Sequence, residues 1–188
     1  RTLWIVALLM GYFNAYAQPD LNRSLPPLPD GYWLQLEEVA EHNEGVLAGM
    51  TTYRLYVNCL NPTDFVSSCS GDESNPLMLA SNANPAWYNS TFATGWTAQG
   101  MNAAFFPFFP EMIFDSFLTI GAEDASYPTA YQCSGQWGSV NVPEEFNENG
   151  PGQNVLLNGE VGGAWYTLFP GLAEIENHPA FAGDDLRV

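Results

Sequence analysis

Residues 51–58 read TTYRLYVN, with β-branched or aromatic side chains at five of the eight positions (Thr51, Thr52, Tyr53, Tyr56 and Val57). Such side chains lose rotamer freedom against the preceding turn of a helix but pack well on a pleated surface, so the stretch is predicted to be a strand. Upstream, Trp33-Leu34-Gln35-Leu36-Glu37 opens the segment 33–39 with a period-2 alternation that turns one face apolar. Shorter runs of the same character follow at 64–68, 77–81, 113–120 and 155–157, and at 164–169 after the Gly162-Gly163 pair, each bounded by Gly, Asn or Pro. Helix signals are sparse. Pro107 and Pro110 interrupt the aromatic run FFPFFP at 105–110, which is therefore expected to be a loop or a single turn capping the core. Short strands between long Gly/Pro/Asn-rich loops predict an all-β chain, an antiparallel sandwich or jelly-roll-like fold with long loops.

Toward the N-terminus the character changes. Arg1 precedes an apolar run, TLWIVALLMGYF at 2–13, which is well short of the roughly 20 residues a membrane-spanning helix needs. The run ends in Ala15-Tyr16-Ala17 before Gln18, the small-x-small pattern of a signal-peptidase site. Residues 1–17 are thus expected to be a secretory signal peptide, 18–30 a Pro-rich linker, and 31–188 a β-rich extracellular domain. The chain begins with Arg rather than Met, and Leu186-Arg187-Val188 alternates like an opening strand. Both ends are read as cuts, with the domain continuing past the C-terminus.

Composition favours a packed core, with 46% hydrophobic and 14% aromatic residues. Charge is the unusual property. Four arginines and no lysine oppose 21 acidic residues, for a net charge of −17. Phosphate contacts need clustered Lys or Arg to release counterions, so nucleic acid and anionic membrane surfaces are disfavoured as partners. Salt would screen the self-repulsion of such a surface, which suits a saline habitat.

Three cysteines in an exported chain imply at least one disulfide. Cys59 and Cys69 flank a segment containing the turn signal Asn61-Pro62-Thr63-Asp64, and their pairing is the expectation. Cys69 with Cys133, or a partner beyond Val188, are the alternatives.

Catalytic signals are weak. His42 and His178 lie among polar residues or beside proline and are read as surface histidines, and no Gly-x-Ser-x-Gly elbow occurs. Paired carboxylates offer the one enzymatic alternative, a glycoside hydrolase, with Glu111 and Asp115 the pair to examine. In an extended segment they would sit about 13 Å apart, too far for either glycosidase geometry. The acid-rich loops bearing Asp72, Glu73, Glu123 and Asp124 are read as solvated, with calcium the one cofactor whose hard-oxygen chemistry they match. Among the aromatic residues, Trp165 is assigned to the core, whereas Trp87, Tyr88 and Trp137 are the candidates for stacking on a sugar ring.

Several motifs together resemble a recurring secreted domain of marine and other environmental bacteria. They are Thr52-Tyr53-Arg54-Leu55-Tyr56, Phe109-Pro110-Glu111, 115–121 (DSFLTIG) and Gly162-Gly163-Ala164-Trp165-Tyr166. The resemblance implies an extracellular β-rich module over about residues 31–188 and carries no catalytic residues or assigned activity. The functional expectation is a non-catalytic secreted module for surface adhesion or ligand binding, with carbohydrate or other domains of a larger surface protein as partners.

Overall fold

The computed structural model describes residues 30–93, 95–126, 133–148 and 152–167. The expected leader, nearly all of the linker, His178 and the alternating C-terminal end lie outside the described residues. Among the described residues seven strands follow one another: β1 (Trp33–Glu41), β2 (Thr51–Asn58), β3 (Ser68–Gly71), β4 (Leu77–Leu79), β5 (Cys133–Gly138), β6 (Val155–Leu157) and β7 (Gly163–Thr167). Every pairing among them is antiparallel, in three sheets ordered β1-β2, β3-β7-β5 and β4-β6. Between the strands lie short 3-10 turns at Gly45–Leu47, Ala98–Gly100, Ala103–Phe105 and Pro110–Phe114, and a π turn at Glu144–Glu148. The chain is mainly β, as its alternation predicts.

The two small sheets share one core. Trp165 of β7 and Val155 and Leu157 of β6 are buried in a cluster with Leu118, Ile120, Val142 and Phe146, and Leu77, Leu79 and Cys69 pack against it. Burying each such side chain stabilises by about 1.5–3 kcal/mol relative to exposure. The sheets come together where β3 turns into β4. A Cβ on Gly71 would stand 2.5 Å from the Leu77 amide nitrogen and 2.6 Å from the Leu157 carbonyl oxygen, so this approach admits only glycine. Asp72 fixes the turn that follows, its Oδ1 accepting from the amides of Ser74 and Asn75 at 2.7 Å each.

The β1–β2 ribbon has two unlike faces. One carries cross-strand hydrogen bonds, Tyr56 Oη to Glu37 and Asn58 Nδ2 to Gln35. The other aligns Leu34 with Val57, Leu36 with Leu55 and Glu38 with Tyr53, and leaves Leu34, Leu36 and Tyr53 more than half exposed.

Three expectations are corrected. Residues 64–67 are not in a strand, because Asp64 is drawn into a turn where its carboxylate accepts from the Asn61 amide and from Tyr32 Oη, both at 2.9 Å. β3 starts only at Ser68. Residues 113–120 are not a strand either. The 3-10 turn Pro110–Phe114 takes up the first of them, and 115–120 run without ladder pairing while burying Leu118, Thr119 and Ile120. Conversely, residues 133–138, which are not among the runs expected to be strands, form β5 on one side of β7.

Candidate functional site

Period-2 geometry divides the β3-β7-β5 sheet into two faces. Along β7, Gly163, Trp165 and Thr167 point inward, whereas Ala164 and Tyr166 alternate with them on the outer side. Register aligns Ser70 and Trp137 with Ala164, and Ser68 and Gly135 with Tyr166. The outer face is therefore two rows, Ser70–Ala164–Trp137 and Ser68–Tyr166–Gly135. Two aromatic rings stand on it among small residues, on diagonal positions whose spacing in such a ladder is about 7–8 Å. Trp137 is 59% exposed. Tyr166 is partly buried. An aromatic ring raised above Ser, Ala and Gly presents a low surface on which a flat apolar ligand face can lie.

The structure separates the three aromatic candidates. Trp137 is on this face. Trp87 packs against the core, its ring 5.4 Å from that of Phe146 and its Nε1 donating to the Gln153 carbonyl at 2.6 Å. That spends both its apolar surface and its polar atom on the fold. Tyr88 belongs to a different cluster altogether. Trp165-Tyr166, the other Trp-Tyr pair in the chain, is split by strand β7, one ring to each side of the sheet. Tyr166 joins Trp137 only through the β5–β7 pairing, which no local signal in 133–138 announces.

Tyr88 lies near a second group of polar residues. Asp115 is buried and its Oδ1 accepts from the Ser90 amide at 2.5 Å, while the Ser116 amide donates to the Tyr88 carbonyl at 2.9 Å. These two bonds tie segments 88–93 and 115–118 together. Burial pushes the Asp115 carboxyl up to about 6, against the lowering effect of the Ser90 amide. Burial likewise raises the Tyr88 hydroxyl, with the negative charges of Glu111 and Asp115 adding to it and a hydrogen bond to Ser90 opposing. Both carboxylates thus act on one hydroxyl, because Pro110–Phe114 winds into a 3-10 turn instead of extending. At a rise of about 2 Å per residue the two positions come within about 8 Å along the turn. Yet Asp115 is only 7% exposed, so its carboxyl is committed to the interior.

The acidic loop residues do not converge. Asp124 Oδ1 accepts from the Ser126 amide at 2.7 Å, a local turn of the kind Asp72 makes. Among the described residues no group of three or more His, Cys, Asp or Glu side chains is placed to hold a metal ion. His42 is occupied structurally, with Nε2 2.8 Å from Thr52 Oγ1 and its ring edge-on to Phe114 at 4.5 Å.

The expected Cys59–Cys69 bond is also corrected, since the two are not bonded to one another. Cys59 follows β2 of the ribbon, and its Sγ lies 3.8 Å from the Val57 carbonyl oxygen. Cys69 is held in β3 opposite Trp165. The turn at 61–64 carries the chain from one sheet to another rather than closing a loop. Burial raises the Cys59 thiol, and the Asp64 charge adds to it.

Among the described residues no helix is long and apolar enough to cross a membrane. Comparison of the chain with known protein families, with curated proteins and with solved structures gives no match.

Proposed function

We propose that the chain is a non-catalytic, secreted β module that binds carbohydrate on the outer face of the β3-β7-β5 sheet. The observation that carries this reading is the exposed Trp137 ring beside Tyr166, on a face otherwise built of Ser68, Ser70, Gly135 and Ala164. The C–H face of a pyranose stacks on such a ring, and the small neighbours leave room for the rest of the sugar chain. The two serine hydroxyls and the indole N–H supply donors and acceptors for its hydroxyl groups. Secretion is supported by the leader-like 1–17 segment, and solubility in a saline exterior by the net charge of −17.

The test is a glycan-array and polysaccharide-affinity screen on the full chain and on Trp137→Ala. Because Trp137 is mostly exposed, the variant should keep its stability within about 0.5 kcal/mol. Its affinity for any bound glycan should fall by about tenfold or more. Retention of glycan by the variant at the parent affinity would rule the face out.

A hydrolase using Glu111 and Asp115 is the second reading, favoured by the 3-10 turn that brings the pair together. Burial of Asp115 weighs against it, since a catalytic acid must reach the glycosidic oxygen.

A further inference from the structure

The aromatic face has a charged border. Asp72 follows Ser68 and Ser70 at the same period-2 spacing, and a Cβ on Gly162 would stand 3.0 Å from the Asp72 Cβ. The turn holding Asp72 and Glu73 meets the turn holding Glu160 directly, through the Glu73 amide donating to the Gly159 carbonyl at 3.0 Å. Next to both, Gly138 lies so close to Gly162 that a Cβ there would stand 2.3 Å from its carbonyl oxygen. Gly138 directly follows Trp137. The Trp137 end of the face is thus bordered by the two turns that carry Asp72, Glu73 and Glu160, with Glu73 and Glu160 exposed. The one cationic side chain among the described residues is Arg54, on the separate β1–β2 ribbon.

From this arrangement, and resting on the carbohydrate reading above, we infer that the face selects glycans bearing free amino groups over neutral and anionic ones. A protonated amino sugar stacked on Trp137 gains a cation–π contribution from the indole face. Its ammonium group also lies in the negative field of Asp72, Glu73 and Glu160. Uronates and sulfated sugars meet the same field with the opposite sign. A neutral sugar has the stacking alone.

The experiment is titration of the full chain with an oligomer of N-acetylglucosamine, its fully deacetylated counterpart, and a uronate oligomer, at low and at high ionic strength. Trp137→Ala and the double variant Glu73→Gln/Glu160→Gln are compared, both changing exposed side chains. The deacetylated oligomer should bind about tenfold or more tightly than the acetylated one at low salt. That preference should shrink at high salt and in the double variant, while the acetylated affinity stays constant. Equal binding of both amino-sugar oligomers, abolished by Trp137→Ala, would overturn the selectivity and leave the carbohydrate face standing. Binding unaffected by Trp137→Ala, or no binding of any oligomer, would overturn both.

Discussion

Asp115 shows how one residue can tie distant segments together at a cost that depends on pH. Its carboxylate holds the Ser90 amide, 25 positions away in the chain, in an environment that disfavours charge. A carboxyl raised from 3.8 to about 6 stabilises the fold fully below about pH 3.8, and that contribution is lost as the pH rises through about 6. The full shift corresponds to about 3 kcal/mol, reduced to about 2 by partial contact of the carboxyl with solvent. Asp115→Asn keeps an oxygen acceptor for the Ser90 amide and has no charge to bury. The variant should match the parent in stability near pH 4 and exceed it by about 1–2 kcal/mol at pH 7.5. Denaturant unfolding at the two pH values gives the answer, and a parent–variant difference that does not change with pH would show that Asp115 is not titrating in the interior.

At the scale of elements, β5 and β7 carry a mismatch on the side opposite the aromatic face. Gln136 and Trp165 are register partners on the inner face, and both Gln136 Oε1 and Trp165 Nε1 are buried without a hydrogen-bond partner. A lone buried acceptor costs about 1–3 kcal/mol, and replacing it by an apolar group of similar size removes that cost. Gln136→Leu is therefore expected to raise stability by about 1 kcal/mol with no change in ligand binding, because its side chain lies on the other side of the sheet from Trp137. A destabilised variant would mean that the Gln136 amide is satisfied in solution. The β1–β2 ribbon poses a different problem. Its face of Leu34, Leu36 and Tyr53 gains nothing from burial while exposed, so the ribbon's order rests on the ladder and on the polar face with its Tyr56–Glu37 and Asn58–Gln35 pairs.

Across the whole molecule, charge opposes compaction. With 21 acidic residues against four arginines, folding draws like charges together, and mobile ions screen them over a Debye length of about 10 Å at 0.1 M. Raising sodium chloride from about 0.02 to 0.5 M should stabilise the fold by about 1 kcal/mol or more. Thermal unfolding followed across the salt series measures this, and a flat dependence would mean that the carboxylates are already too far apart in the fold to repel. The same field underlies the expected salt sensitivity of amino-sugar binding. One physical cause therefore links stability to ligand choice.

Alternation and side-chain type by themselves determined the β1 and β2 strands, the β4 and β6 segments and the mainly β class, because these are local properties of nine or fewer residues. The assignment of Trp165 to the core was also legible, from its place in a strand opened by Gly162-Gly163. Tertiary structure alone decided that 133–138 is a strand, since its Ser and Gly residues have little intrinsic preference and gain order only by pairing with β7. It also decided which tryptophan faces solvent. Trp87 and Trp137 both sit among small and polar residues in sequence, and only packing against Phe146 or pairing opposite Ala164 distinguishes them. The fates of Asp115, Cys59 and Cys69 depended likewise on partners far along the chain or on which sheet each segment joined. Burial and pairing are set by what the rest of the molecule brings near, and a stretch of sequence carries only its own half of that information.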